Sequence, residues 1–269
     1  MAIKLIALDI DGTLTSKPRE ISQRNRNAVT AAVNAGIPVV VSTGRGCFAT
    51  RPIWKLLDVH GPSILYGGAM TMDIDTESVI SMHALDPELI REVLAYSAEV
   101  GIHAQIYVND VVIFEKPSPF AEKYIKRHSL PYEIDPDIRK KSYSNVPKIL
   151  AFSEVERQDE MLQAYRDRFY KKAQVSRSMP GYIEINCPDT TKGTALAELA
   201  NRLHIAHADV AAVGDNYLDQ EMIEWAGTGV CVEDGAETVK AVADLIVPAC
   251  DDDGVAYFIE NYVLNQTGR

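Results

Sequence analysis

Two aspartates, Asp9 and Asp11, directly follow an apolar run in the stretch LIALDIDGTLT, residues 5–15. Buried carboxylates are costly unless positive charge meets them. Residues two apart point to the same side of an extended strand, and Gly12 lets the backbone turn toward a bound anion. One carboxylate can then attack phosphorus while the other gives and takes protons, provided a divalent cation holds the phosphoryl oxygens. The tripeptide DID alone indicates an ordinary turn, but DIDGTLT after an apolar strand favours Mg²⁺-dependent phosphoryl chemistry.

Three later segments offer groups that would complete such a site. VVVSTGR supplies a hydroxyl at Thr43 and a possible anion contact at Arg45. TKGTAL places Lys192 at a helix start, where a cation opposes the helix dipole unless it serves another group. VGDNYLDQEM ends a strand at Asp215 and places Asp219 in the first helical turn. Taken singly, each is also typical of a turn, a solvated lysine or an acid at a helix N-terminus.

The elements that carry these residues alternate between strand and helix. Residues 22–36 predict a helix with an N-cap at Ser22 and a stop at Gly36. IPVVVSTGR predicts a strand covered on both faces. Residues 191–248 repeat the alternation, with helices predicted at TKGTALAELANRLHI, LDQEMIEWAG and AETVKAVAD. This order predicts an α/β fold with a doubly wound, Rossmann-like parallel sheet. Asp9, Asp11, Thr43 and Asp215 then lie at the carboxyl ends of strands, where functional groups of such sheets gather, so we expect one cleft to collect them.

The middle of the chain follows another pattern. HAQIYV and VVIFE predict a hairpin joined by Asn109-Asp110, although no glycine supplies the turn. Helices are predicted near residues 86–100, 119–128 and 154–169, and strands at PKILAFS, AQVSRS and YIEINC. Strand pairs with intervening helices indicate an α+β unit inserted into the core. We expect core segments at 1–83 and 188–269, with the insertion at 84–187.

Composition narrows the classes of function. Hydrophobic residues make up 46% of the 269 residues and charged residues 24%, as in soluble globular proteins. The net charge of −11 disfavours nucleic acid or anionic membrane as the main partner, although a bound cation can reverse the local field. No apolar run approaches the roughly eighteen residues of a membrane span, and no signal peptide is predicted. Four scattered cysteines, without a CxxC pair, indicate free thiols and a reducing cytoplasm.

In their order along the chain, the four segments resemble the haloacid dehalogenase superfamily of phosphohydrolases. DIDGTLT matches the signature DxDGTLT of that family completely. The chain length and the long insertion between the second and third segments look like the Cof-type sugar-phosphatase branch, whose mobile cap is inserted there. The resemblance covers essentially the whole chain. It implies a cap that closes over the cleft, excludes water and supplies a leaving-group pocket, to which the loops of 84–187, including SRSMPGY, contribute.

The resemblance also implies roles for individual residues. Asp9 would be the nucleophile that becomes an aspartyl phosphate, Asp11 the general acid and base, and Lys192 the group that neutralises the nucleophile and the phosphoryl oxygens. Mg²⁺ would be bound by Asp9, Asp215 and the backbone carbonyl of Asp11. The resemblance also implies that the phosphoryl group is bound by Thr43, Gly44, Arg45 and Lys192. It implies supporting roles around the site for Gly12, Asn216 and Asp219.

The sequence departs from the family pattern at several positions. Leu218 stands where the fourth motif, GDxxND, usually has asparagine, and Gly67 stands where asparagine commonly precedes a glycine. Glu233, Asp234 and Gly235 replace the usual Gly-Asn-Ala. The asparagine missing at Leu218 removes an amide that would support the metal without removing a ligand.

The leading hypothesis is a Mg²⁺-dependent phosphatase for a small phosphomonoester, with a sugar phosphate as the favoured substrate class. A phosphomutase with the same aspartyl phosphate remains an alternative, since the two differ in whether water or an alcohol accepts the phosphoryl group. A third possibility is a protein that binds phosphorylated ligands without turnover. We expect a cytoplasmic monomer or homodimer.

Overall fold

The computed structural model describes residues 2–16 and 20–266; residues 1, 17–19 and 267–269 of the two predicted core segments lie outside the described residues. The chain divides into two compact units. The first comprises Met1–Arg45, Thr50–Ser81 and Thr191–Arg269. The second comprises Gly46–Ala49 and Met82–Thr190.

Strands and helices alternate along most of the chain. The strands are β1 (Leu5–Leu8), β2 (Val39–Val41), β3 (Pro62–Leu65), β4 (Met70–Asp73), β5 (Ser78–Met82), β6 (His103–Val108), β7 (Val111–Phe114), β8 (Tyr132–Ile134), β9 (Lys148–Phe152), β10 (Gln174–Arg177), β11 (Tyr182–Asn186), β12 (Val210–Gly214), β13 (Thr228–Val232) and β14 (Leu245–Val247). The helices are α1 (Gln23–Asn34), α2 (Cys47–Leu57), α3 (Pro87–Glu99), α4 (Pro119–His128), α5 (Gln158–Arg168), α6 (Lys192–Arg202), α7 (Gln220–Trp225), α8 (Glu237–Lys240) and α9 (Gly254–Phe258).

A five-stranded parallel sheet forms the centre of the first unit. Its strand order is β14-β13-β12-β1-β2, and every neighbouring pair runs parallel. Leu8, the last residue of β1, is paired with Val213 on one side and Val41 on the other. The carboxyl ends of β12, β1 and β2 therefore lie at one edge. The predicted α/β fold with a parallel sheet and an inserted α+β unit is confirmed.

Strand β1 is apolar throughout because both faces of the sheet are covered. All four of its residues are fully buried. Leu5 and Ala7 belong to a core cluster that also contains Leu196 of α6 and Met222 of α7. Burial of each leucine or isoleucine side chain of β1 stabilises the fold by about 1.5–3 kcal/mol relative to its exposure to water. The continuous apolar run in the sequence therefore reports a central strand, and it fixes where the chain emerges at Asp9.

Helix α1 begins and ends as its sequence predicts. The Ser22 hydroxyl accepts a hydrogen bond from the backbone N–H of Asn25 at 3.0 Å, and so satisfies one of the free N–H groups of the first turn. Ala28 and Ala32 are buried, one turn apart, on the same face. Gly36 follows the helix with φ +80°, a conformation that glycine adopts without strain.

The second unit has its own sheet and its own core. Its strand order is β10-β11-β9-β6-β7-β8, antiparallel except for the pair β7–β8. Ile90 and Val93 of α3 and Tyr165 of α5 pack in one cluster with Ile149 of β9 and Ile183 of β11. The predicted helices and strands of this region are therefore present, and they enclose a separate hydrophobic core.

The predicted hairpin is formed without glycine in its turn. Strands β6 and β7 pair antiparallel, with Val108 opposite Val111. Asn109 and Asp110 both adopt left-handed backbone angles, with φ values of 47° and 67°. Asn and Asp tolerate this region better than other residues with a side chain, so they form the two-residue turn that suits a hairpin.

The sequence prediction was incomplete or wrong at several elements. It lacked α2, whose interior contains Pro52, a residue that normally ends a helix. It also lacked β8 and the separate three-stranded sheet β3-β4-β5. The residues AETVKAVAD were predicted to be helical throughout, but α8 covers only Glu237–Lys240. The missed strands and α8 are short, so tertiary contacts decide their structure more than the periodicity of their own residues does.

All four cysteines are free thiols, as predicted, and three of them are buried. Within residues 2–16 and 20–266, no helix has both the length and the apolar character needed to cross a membrane.

Candidate active site

Three polar side chains emerge where neighbouring parallel strands end. Asp9 follows β1, Thr43 follows β2 and Asp215 follows β12. The Asp9 backbone N–H donates to the carbonyl of Val213 at 3.0 Å, and Ser42 N–H donates to the carbonyl of Leu8 at 2.8 Å. The sheet ladder thus continues one residue past the strands and fixes the backbone that carries these side chains.

Lys192 lies between two carboxylates at this edge. Its Nζ is 2.6 Å from Oδ1 of Asp9 and 2.6 Å from Oδ1 of Asp219. The lysine side chain is only 1% exposed. Lys192 is the first residue of α6, where the helix dipole opposes a positive charge. The two carboxylates offset both the dipole and the loss of hydration, which explains how the fold accommodates a buried lysine here.

Asp219 has both carboxylate oxygens occupied by protein donors. Oδ1 accepts from Lys192, and Oδ2 accepts from the backbone N–H groups of Asp215 and Asn216, each at 3.1 Å. Gly214 permits this approach, since a Cβ there would lie 2.5 Å from the Cβ of Asp219. Asp219 therefore holds the turn that carries Asp215 and orients Lys192, and it has little capacity left for a further ligand.

Asp215 is held in place by Thr13, a residue of the segment DIDGTLT that the sequence analysis did not select. The hydroxyl of Thr13 donates to Oδ1 of Asp215 at 2.8 Å. Gly12 has φ +95°, and a Cβ at that position would lie 2.4 Å from Oδ2 of Asp215. The only sequence signal for Thr13 was its place inside DGT, immediately after the two aspartates.

The acidic cluster carries more negative charge than the protein neutralises. One oxygen each from Asp9, Asp215 and Asp219 lie within 4.8 Å of one another. Among the described residues, Lys192 is the only ammonium group paired with these three acids, so two negative charges remain when all three are ionised. Burial, reinforced by the neighbouring carboxylates, raises the pKa of Asp9 to about 7 and that of Asp215 to about 9.

The pKa of Lys192 is shifted in opposite directions by burial and by the neighbouring carboxylates. Burial by itself lowers the pKa of Lys192, but the charges of Asp219 and Asp9 outweigh that effect and hold the pKa above its ordinary value. Lys192 is thus a permanent cation. Oδ2 of Asp9 is buried and has no hydrogen-bond partner among the described residues. A buried, unsatisfied carboxylate oxygen next to excess negative charge is what a hard divalent cation would satisfy.

Asp11 is not one of the three acids of this cluster, and its carboxylate pairs with Arg45. Arg45 donates from Nε to Oδ2 at 2.7 Å and from Nη2 to Oδ1 at 2.5 Å, a two-pronged contact. The Asp11 side chain is 39% exposed, and that of Arg45 is 9% exposed. The Thr43 hydroxyl accepts from the backbone N–H of Arg45 at 3.2 Å. Arg45 therefore links the second motif to Asp11 of the first.

The departures from the family pattern have distinct surroundings. Leu218 N–H donates to the side-chain oxygen of Asn216 at 3.0 Å, and its Cδ1 would lie 3.3 Å from a Cβ on Gly44. Gly67 N–H donates to the carbonyl of Thr43 at 3.0 Å, and its φ is +69°. Glycine suits that left-handed position, so the turn is formed without the asparagine.

The two acids of the third departure do not join the site cluster. Glu233 is exposed, and its backbone carbonyl accepts from Lys240 at 3.1 Å. Asp234 is also exposed and accepts from the backbone N–H of Cys250 at 3.0 Å. Both therefore stabilise the loop after β13.

The sequence model of the haloacid dehalogenase-like hydrolases matches residues 6–259. The chain belongs to this family. A solved haloacid dehalogenase-like hydrolase from Bacteroides thetaiotaomicron superposes with a TM-score of 0.86 at 27% identity, covering 96% of this chain and 98% of that one. The predicted membership of the superfamily, in its Cof-type branch, is confirmed.

Two curated relatives of this haloacid dehalogenase-like hydrolase are named phosphatases. 5-Amino-6-(5-phospho-D-ribitylamino)uracil phosphatase YwtE of Bacillus subtilis is 30% identical, over 98% of this chain and 99% of the relative. Pyridoxal phosphate phosphatase YbhA of Escherichia coli is 24% identical, over 98% of this chain and 100% of the relative. The prediction of a phosphoric monoester hydrolase is confirmed.

Proposed function

We propose that this hydrolase is a Mg²⁺-dependent phosphatase that cleaves a small phosphomonoester, a sugar phosphate, through an aspartyl phosphate on Asp9. The observation that carries the proposal is the buried cluster of Asp9, Lys192 and Asp215, in which Oδ2 of Asp9 lacks any partner among the described residues. A buried lysine against one oxygen of a carboxylate, with the other oxygen left unsatisfied, suits a nucleophile better than a structural ion pair.

The residues present fit a divalent cation. Two uncompensated negative charges and hard oxygen donors favour Mg²⁺ over softer metals. Asp9, Asp215 and the backbone carbonyl of Asp11 would hold it. When bound, Mg²⁺ would lower the repulsion between the anionic nucleophile and the anionic phosphoryl group. Because burial raises the pKa of Asp9, a cation beside it would also favour the ionised carboxylate that attack requires.

In the first half of the proposed reaction, the Asp9 carboxylate attacks phosphorus and the bond between phosphorus and the ester oxygen breaks. Asp11 gives its proton to the departing oxygen, which leaves as an alcohol. Lys192, a permanent cation at 2.6 Å from Asp9, fixes the orientation of the nucleophile and offsets the charge on the phosphoryl oxygens. The Thr43 hydroxyl and the backbone at Gly44 position the phosphoryl group.

In the second half, Asp11 takes a proton from water, and the resulting hydroxide attacks phosphorus of the aspartyl phosphate. The acyl-phosphate bond breaks, phosphate leaves and Asp9 is restored as a carboxylate. The two-pronged contact with Arg45 orients the ionised Asp11, the form that takes a proton from water. One of the two contacts opens when Asp11 carries the proton that it gives to the departing oxygen. Asp219 supports both halves by orienting Lys192 and the backbone of Asp215 and Asn216.

The proposed substrate class is supported by the names of two relatives. The B. subtilis relative is named for a ribityl phosphate and the E. coli relative for pyridoxal phosphate, both small phosphomonoesters. We assign residues 84–187 as a cap that selects the leaving group, between core segments 1–83 and 188–269. Free thiols throughout agree with a cytoplasmic enzyme, and we propose a monomer or homodimer.

The test is phosphate release from a panel of phosphomonoesters, including sugar phosphates, pyridoxal phosphate and p-nitrophenyl phosphate. Each is assayed with Mg²⁺ and with EDTA. Wild type should release phosphate only with Mg²⁺, and Asp9→Asn should release none while its far-UV circular dichroism is unchanged. Asp209→Asn, at an aspartate paired with the surface residue Lys4, is the matched control and should keep full activity. Turnover by Asp9→Asn would refute the nucleophile, and turnover in EDTA would refute the cation.

A further inference from the structure

The hydroxyl of Thr13 makes a short contact with the proposed metal ligand Asp215. Thr13 is fully buried, and its Oγ1 donates to Oδ1 of Asp215 at 2.8 Å. The side-chain amide of Asn216 approaches the same oxygen at 3.4 Å, close to the limit of a hydrogen bond. Thr13 is therefore the principal side-chain donor to this carboxylate.

The second oxygen of Asp215 is left clear by the same turn. Within residues 2–16 and 20–266, no group donates a hydrogen bond to Oδ2. A Cβ on Gly12 would lie 2.4 Å from Oδ2 and would cover it, so the absence of a side chain there keeps the oxygen accessible. Thr13 therefore donates a hydrogen bond to Oδ1 of Asp215, while Gly12 leaves Oδ2 accessible.

We propose that Thr13 is a positioning residue for the cation, which holds Oδ1 of Asp215 so that Oδ2 is directed to the bound ion. This inference rests on the proposed function, in which Asp215 is a ligand. The terminal torsion of an aspartate is broad and costs little to rotate, so a free carboxylate would sample many orientations. A hydrogen bond to one oxygen restricts that rotation and leaves the other oxygen to the metal. Groups that orient ligands in this way typically change metal affinity by roughly 10–100-fold.

The proposal is tested by measuring cation binding directly. Thr13→Val removes the hydroxyl at nearly constant volume, and Thr13→Ser restores it. Thr71→Val makes the same change at another buried threonine of the first unit, in β4. Mg²⁺ binding is measured by isothermal titration calorimetry and Mn²⁺ binding by electron paramagnetic resonance, with substrate absent. The metal-free melting temperature is recorded for each variant.

Thr13→Val should raise both dissociation constants by roughly 10–100-fold. Thr13→Ser and Thr71→Val should bind both ions like wild type. The metal-free melting temperature of each variant should lie well above the temperature of the binding assays, so that affinity is measured on folded protein. Saturating Mg²⁺ should restore much of the turnover of Thr13→Val, because the residue acts through the occupancy of the site.

Unchanged dissociation constants in Thr13→Val would overturn the inference while leaving the proposed function intact. A wild-type protein that binds neither ion would instead refute the cation site and, with it, the proposed function. If Thr13→Val does not fold, Thr13→Ala supplies the same comparison, since it removes the hydroxyl and adds no group beside the carboxylate. Wild-type affinity in Thr13→Ala would overturn the inference equally.

Discussion

Replacing Lys192 by methionine should destabilise the protein far more than the same change at a surface lysine. Methionine keeps an unbranched side chain of similar length but removes the charge and the donors. Lys192 is 1% exposed and lies 2.6 Å from both Asp9 and Asp219. Its removal leaves two buried carboxylates without their cation, which places the change among the few that are severely destabilising.

The expected magnitude follows from burial. Breaking a buried ion pair by removing one partner costs about 3–5 kcal/mol of unfolding free energy, because the remaining charge stays desolvated. In a protein of this size each kcal/mol shifts the melting temperature by about 2–4 °C, so Lys192→Met should melt roughly 6–20 °C lower. The loss should be largest in EDTA, where no cation replaces the missing charge.

The chain offers a matched control at Lys4. Its Nζ is also 2.6 Å from a carboxylate, that of Asp209, but the lysine side chain is 62% exposed. Exposed pairs contribute about 0–1 kcal/mol, since water already solvates both charges. Lys4→Met should therefore melt within about 4 °C of wild type. Differential scanning calorimetry of wild type and both variants at pH 7.5 in EDTA makes the comparison.

Equal losses in Lys192→Met and Lys4→Met would refute the reasoning, because distance alone would then set the energy. A loss below about 1 kcal/mol in Lys192→Met would show that the two carboxylates become neutral or hydrated at little cost. Either result would also weaken the argument that the cluster requires a cation.

Two further predictions concern the cation and the second unit. Asp215→Ala should raise the Mg²⁺ concentration for half-maximal phosphate release at least about 10-fold, and an unchanged requirement would remove Asp215 from the ligand set. Burial lowers the pKa of His103 from its ordinary value near 6.5 to about 4. Between pH 6.5 and pH 4 the unfolded chain therefore binds more protons at this residue than the folded protein does. The free energy of unfolding falls as the pH drops through this range. Moving from pH 7 to pH 5 should therefore cost wild type about 2 kcal/mol more than it costs His103→Phe, measured by urea unfolding. Equal losses would show that His103 titrates normally in the folded protein.

The sequence was sufficient to predict the elements whose own residues determine them. The apolar run of residues 5–8 predicts a central strand because it is short and bounded by turn residues, and a strand apolar on both sides must be covered on both faces. Ser22 and Gly36 delimit α1 through local backbone chemistry, so they needed no knowledge of the fold. Helix α2, which contains Pro52, and the short strands β3–β5 were missed because their sequences carry no such local signals.

The sequence also identified which residue types gather at the strand ends, because parallel strands place their carboxyl ends at one edge. It did not determine the partner of each group. Lys192 could have been a solvated residue at a helix start, and only the fold buries it between Asp9 and Asp219. The pairing of Asp11 with Arg45 depends equally on how two adjacent loops fold back.

Thr13 shows this limit most clearly. It is two residues from Asp11 and 202 residues from Asp215, the group it contacts. Periodicity, capping and turn chemistry act over a few residues, so a local pattern specifies that a hydroxyl is present but not which carboxylate it reaches. The sequence alone determined the central strands of the parallel sheet, the family and the acids of the site. The tertiary structure decided which oxygen of each acid is bonded and which is free, because that depends on contacts between segments far apart in the chain.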